Sequence, residues 1–146
     1  MAWTGSPRGR DAARMADHEP DALLALMPFA QTCGVRLLTT TPGEVRGELD
    51  WAAERCTTAG VLHGGALMTL ADSLGAVCAF LNLPAGATTS TIESKTNFFR
   101  AVRDGTVSGT AKPVHVGRTT IVVQTELRDG QSRLVALVTQ TQAVLQ

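Results

Sequence analysis

A chain of 146 residues, 44% hydrophobic and 18% charged, is long enough to bury one core and reads as a single globular domain. Thirteen basic residues cancel thirteen acidic ones, which gives no footing for nucleic acid or another polyanion. Cys33, Cys56 and Cys78 are odd in number and fit no zinc spacing; with only three scattered histidines, no metal is expected, and the free thiols suit a reducing, cytoplasmic compartment.

Residues 1–17 mix Gly, Pro, Arg and Ala without periodicity and read as a disordered leader, with the domain proper over 18–146. Arg8, Arg10 and Arg14 precede no apolar stretch of the kind a signal peptide needs. No apolar run of about 18 residues stands out, so no membrane span or membrane partner is expected. His18 falls at the edge of the leader and is expected to be silent.

Pro20 is placed for the first turn of a short helix, Pro28 interrupts that helix or begins a second, and Gly34 stops it. A strand over 35–41 then leads through Pro42-Gly43 into a strand over 44–51. In the latter, Val45, Leu49 and Trp51 alternate with Glu44, Arg46, Glu48 and Asp50, the period of a half-buried strand. A small, polar loop over 52–62 follows.

The stretch over 60–82 dominates the chain. A His63-Gly64-Gly65 entry opens a long apolar run without proline, which favours a buried helix over a strand. At about 100° per residue, Leu67, Leu70, Leu74, Val77 and Leu81 share one side. The other side carries Gly65, Met68, Gly75, Ala76 and Ala79 around one carboxylate, Asp72. Asp72 is either a solvated residue on a polar face or a general base or nucleophile in a cleft. The first backbone N–H groups of such a helix point outward at the positive end of its dipole, so Gly64 and Gly65 are candidates to polarise a carbonyl oxygen. Gly64 and Asp72 are roughly 12 Å apart along one helix, too far to serve one carbonyl. Two antiparallel copies resolve this, and the spacing implies a two-fold homodimer with shared sites.

Beyond the helix, a turn over 83–86 leads to a β-prone stretch over 88–100. Residues 102–105 read as a hairpin connection to a strand over 106–112, which 113–117 interrupts. Thr119, Ile121, Val123, Thr125 and Leu127 then alternate with polar residues, Asp129-Gly130 signals a hairpin, and 132–145 closes the chain as an apolar strand. Four strands in consecutive hairpins after one buried helix imply an α+β architecture, an antiparallel sheet wrapped around that helix.

In this order the chain resembles the hotdog-fold acyl-CoA thioesterases of the PaaI type, nearest to bacterial enzymes acting on aromatic acyl-CoAs such as 1,4-dihydroxy-2-naphthoyl-CoA. The resemblance rests on Leu62-His63-Gly64-Gly65, Leu70-Ala71-Asp72-Ser73-Leu74-Gly75, Asn97-Phe98-Phe99-Arg100-Ala101 and Lys112-Pro113-Val114-His115-Val116-Gly117-Arg118. It implies a sheet of five to six strands and hydrolysis of an aromatic or medium-chain acyl-CoA without a cofactor. It also implies a homodimer with shared sites, assembled further as a dimer of dimers. Asp72 would be nucleophile or general base, the Gly64 N–H would polarise the thioester carbonyl, and His63 would shape that site. Thr57, Gly65, Ser73, Ala76, Thr91 and Phe98 would contact the substrate, and His115, Val116, Gly117 and Arg118 the coenzyme A portion.

Two positions depart from the family pattern. Thr57 stands where many relatives carry Gln or Asn, and Ala76 where some carry Ser or Thr, with Thr58, Ser73 and Thr91 as candidates to compensate. A non-catalytic acyl-CoA-binding protein and a hydratase or dehydratase on the same fold are the alternatives.

Overall fold

The structure is a computed structural model that describes residues 19–146. The expected leader over 1–17 and His18 lie outside the described residues. Two short helices open the described chain, α1 (Pro20–Ala25) and α2 (Pro28–Thr32), each with its proline in the first turn. Strands β1 (Arg36–Thr41) and β2 (Glu44–Asp50) form a hairpin. The long helix α3 (Gly64–Leu81) follows, and then β3 (Thr88–Phe98), β4 (Thr106–Val116), β5 (Thr120–Arg128) and β6 (Leu134–Leu145).

All six strands form one antiparallel sheet in the order β1-β2-β4-β5-β6-β3. Leu67, Leu70, Leu74, Val77 and Leu81 of α3 are buried, as their spacing predicts, against inward residues that include Val45, Leu49, Val107, Ile121, Val123, Leu127 and Val138. Gly47 of β2 and Gly109 of β4 stand opposite each other in register, and a Cβ on either would strike the Leu74 side chain. This paired gap lets the helix settle onto the sheet. Cys78 sits in the same core, and burial pushes its thiol up to about 11, so it is held as an inert thiol.

The structure corrects or refines four sequence expectations. First, β3 does not form a hairpin with β4. It pairs with β6 at the sheet edge, and residues 99–105 cross over to deliver β4 beside β2. The crossover is anchored by buried Val102, whose carbonyl accepts the Leu62 N–H at 2.8 Å, and by the Gly105 carbonyl, which accepts the Trp51 N–H at 2.8 Å.

Second, Pro113 does not interrupt β4. Pairing with β2 ends at Ala111, so the missing proline N–H falls on an open edge, and a bulge between Pro113 and His115 absorbs the change of register. Third, the β5–β6 hairpin forms where Asp129-Gly130 signals it, through a turn over 129–133. The Asp129 carboxylate accepts the Gln131 and Arg133 N–H groups, and Ser132, not Gly130, takes the left-handed conformation at φ 60°.

Fourth, α3 is by length and composition apolar enough to cross a membrane, with a mean hydropathy of 1.5 over 18 residues. Here 56% of that window is buried inside the protein, where the sheet covers it.

Candidate active site

The start of α3 is built by His63. This N-cap residue is extended (φ −64°, ψ 137°), and its Nδ1 accepts the Gly65 N–H at 2.8 Å. With Nδ1 as acceptor, the neutral ring carries its proton on Nε2. The Ala66 and Leu67 N–H groups return to the His63 carbonyl at 2.9 and 3.3 Å. The Gly64 N–H is thereby left as the one donor of the first turn without a partner among the described residues. The Phe98 ring lies over Gly64, its nearest carbon 3.2 Å from where a Cβ would stand.

Asp72 lies just over two turns farther along α3. It is half-buried, not solvated on a polar face. Its Oδ1 accepts from Gln140 Nε2 at 2.5 Å and from Thr91 Oγ1 at 3.4 Å, while Oδ2 has no donor among the described residues. Behind these lies a chain of side-chain contacts. Gln142 Nε2 donates to Thr91 Oγ1 at 2.8 Å, and Thr89 Oγ1 lies 3.1 Å from Gln142 Oε1. Burial pushes the Asp72 carboxyl above the usual carboxylate range, and the Thr91 hydroxyl opposes that shift.

Asp72 opens into a groove of about 530 Å³ between α3 and the α2 region. Met27, Phe29, Ala30, Met68 and Ala76 make its apolar wall, with Thr69, Ser73 and Ser94 alongside. Two of these hydroxyls are already engaged: Thr69 donates to the Gly65 carbonyl at 2.9 Å and Ser73 to the Thr69 carbonyl at 2.7 Å. The groove is therefore apolar with a single carboxylate among its lining residues, a surface that suits a hydrophobic group rather than a charged one.

Of the residues expected to contact substrate, Ser73 and Ala76 line this groove and Thr91 touches Asp72, whereas Gly65 and Phe98 gather at the helix start. Thr57 is exposed in the loop before His63 and does not line the groove. That loop is tied down by the Arg103 guanidinium, which donates to the Ala59 carbonyl at 2.7 Å, and by the Trp51 indole, which donates to the Gly60 carbonyl at 3.0 Å. His115 and Val116 end β4, Gly117 and Arg118 begin the turn to β5, which the Gly117 N–H closes on the Thr120 carbonyl at 2.8 Å, and none of the four lines the groove. Among the described residues, no three His, Cys, Asp or Glu side chains cluster to hold a metal ion.

Sequence reasoning missed Gln140, Gln142 and Thr89. The alternation of β6 places Val138, Gln140, Gln142 and Val144 on its buried side, so two amides point inward where an apolar strand was expected. Two inward glutamines between valines were the available signal.

The model of the Thioesterase superfamily matches residues 59–136, from the loop before α3 into β6. This chain belongs to the Thioesterase superfamily. Among its relatives, a Vibrio cholerae protein is 44% identical over 85 residues, covering 58% of this chain and 57% of that protein. The 1,4-dihydroxy-2-naphthoyl-CoA hydrolase of Escherichia coli is 37% identical over 86 residues, covering 59% of this chain and 63% of the hydrolase. Both alignments span less than two thirds of the relative's own length. The crystal structure of a thioesterase family protein from Silicibacter pomeroyi superimposes with a TM-score of 0.78 at 29% identity, covering 84% of this chain and 92% of that one. The six-stranded sheet around one helix is thus the hotdog arrangement of this superfamily.

Proposed function

We propose that this superfamily member hydrolyses the thioester of an acyl-CoA to the free acid and coenzyme A. The observation that carries the reading is the half-buried Asp72 lining an apolar groove, with Oδ1 anchored and Oδ2 without a donor among the described residues. In the general-base route, Oδ2 takes a proton from water as the water oxygen attacks the thioester carbonyl. The tetrahedral oxyanion is held by the unpartnered Gly64 N–H and the positive end of α3. Collapse breaks the C–S bond and the departing thiolate takes the proton. In the nucleophilic route Oδ2 attacks directly and water resolves the resulting anhydride.

Gly64 and Asp72 of one chain stand roughly 12 Å apart, so each site draws its oxyanion donor from one subunit and its carboxylate from another. A two-fold homodimer, itself paired into a tetramer, supplies this. Edge strand β3 supports it: eleven residues long, it is paired on one side only within the described residues, and Ile92 on it is 62% exposed. The turn over 115–118 would hold the coenzyme A portion, with Arg118 pairing a phosphate. The acyl group fitted by Met27, Phe29 and Met68 is aromatic or of medium chain length.

The test is release of free thiol from aromatic and straight-chain acyl-CoAs, read with a chromogenic disulfide. Turnover of at least one of them is expected. Thermal stabilisation by acyl-CoA without thiol release would overturn hydrolysis in favour of simple binding.

A further inference from the structure

The amide of Gln140 is an expensive thing to bury. Its side chain is fully enclosed, its Nε2 lies on Asp72 Oδ1, and its Oε1 is buried without a partner among the described residues. Buried amide oxygens are almost always satisfied, so one left bare indicates that the opposite end of the amide is held where it is for another reason. Reversing the amide would bring Oε1 against Asp72 Oδ1, two acceptors face to face unless the carboxyl is protonated. The side chain has room to lie there only because Gly75, on the next turn of α3 after Asp72, has no Cβ; one would collide with Gln140 Oε1.

We infer that Gln140 is a positioning residue for Asp72: its amide holds Oδ1 against β6 so that Oδ2 is the oxygen presented to the groove. The inference rests on the hydrolase reading for its consequence, and on geometry alone for the contact. Thr91 is the second anchor on the same oxygen, and it is itself aligned by Gln142 and reached by Gln140 Nε2 at 3.3 Å. Three elements thus meet at Oδ1: α3 carries the carboxylate, β3 the Thr91 hydroxyl and β6 the Gln140 amide, with the Gln142 amide behind Thr91. The other polar groups around the carboxylate are Thr69 and Ser73 of α3 and Ser94 of β3. Among the described residues no charged group other than Asp72 lines the groove; the Thr91 hydroxyl favours the charged form against burial, and the Gln140 amide is placed on the same oxygen to do likewise.

The test uses the full chain. Gln140→Met keeps the volume and removes the donor. A carbon-detected NMR titration without substrate should place the Asp72 carboxyl midpoint about one to two pH units higher in this variant than in the wild type. The acid limb of kcat/KM for acyl-CoA hydrolysis should move upward with it. Gly75→Ala, which displaces the amide without touching its chemistry, should shift the midpoint in the same direction. In the wild type, the Gln140 side-chain NH₂ resonances should titrate with the Asp72 midpoint, a readout that survives even if Gln140→Met does not fold. An unmoved midpoint in folded Gln140→Met, or Gln140 resonances blind to the Asp72 titration, would overturn the inference. Absence of thiol release by the wild type would instead overturn the hydrolase reading, and the substrate-free titrations would still decide whether Gln140 governs the carboxyl.

Discussion

His63 Nδ1 accepts the Gly65 N–H at 2.8 Å, and this one hydrogen bond decides which donor of α3 remains free. Gly65 is consumed by the cap; Gly64 is left open beside it. His63→Ala should destabilise the fold by about 1 kcal/mol through loss of the cap, and should lower turnover by freeing a second N–H and loosening the first turn. His63→Asn, which caps by the same geometry, should recover most of the stability. Paired thermal unfolding and thiol-release measurements check this. Equal loss in both variants would mean that the ring contributes more than its cap.

The backbone at this junction also permits a substitution that separates fold from chemistry. His63 has ψ 137°, the conformation that a residue before proline prefers, and Gly64 is the first helical residue, where proline is favoured. Gly64→Pro therefore removes the free N–H while keeping the helix start. Thermal stability should be little changed, because the half-exposed Phe98 ring over Gly64 has only to shift slightly to admit the proline ring. Thiol release should fall by about 10²–10³, the loss that follows removal of one oxyanion donor. Unaltered turnover in a folded Gly64→Pro protein would remove Gly64 from the mechanism.

Asp72 ties activity to stability with opposite signs. Burial raises its pKa in the folded chain, so the native state binds the proton more tightly than the unfolded state. Its favourable contribution is therefore complete below the unfolded carboxylate pKa and is lost as pH rises through the folded value. Above that range the buried charge destabilises the protein. Asp72→Asn should consequently raise Tm at neutral pH, with the gain fading as pH falls toward the ordinary carboxylate range, while turnover drops by about 10²–10⁴. Melting curves against pH and a thiol-release assay test both halves. A Tm difference independent of pH would show that the carboxylate is not desolvated in solution.

The helix, the glycines at its start and its lone half-buried carboxylate were legible because they depend on local spacing alone. Leu67, Leu70 and Leu74 repeat at the helical period, and a lone acid among small residues stands out on any helical wheel. The Pro20 and Pro28 helix starts were legible for the same local reason. The partner of β3 was not. It joins β6, some fifty residues away along the chain for Ser90 and Ala143, and nothing local distinguishes that pairing from a hairpin with β4. Pro113 misled because whether a strand tolerates proline depends on whether its neighbour has ended, a property of β2 and not of β4. Gln140 and Gln142 escaped because polar residues in a strand default to the solvent side, and only the assembled sheet turns them toward Asp72.

The separation between Gly64 and Asp72 makes the shared site testable without any structure of the assembly. Gly64→Pro and Asp72→Asn each abolish both sites of a homodimer. A hybrid dimer is different: one of its sites combines the intact Gly64 of the Asp72→Asn subunit with the intact Asp72 of the Gly64→Pro subunit. The other site carries both defects. Random exchange of equal amounts makes half of all dimers hybrids, each with one good site in two, so activity should return to about a quarter of the wild type. Unfolding and refolding the mixture ensures exchange, and the separately refolded variants are the controls. If sites were built within one chain, every subunit in the mixture would carry a defect in its own site and the activity would stay at the level of the parents.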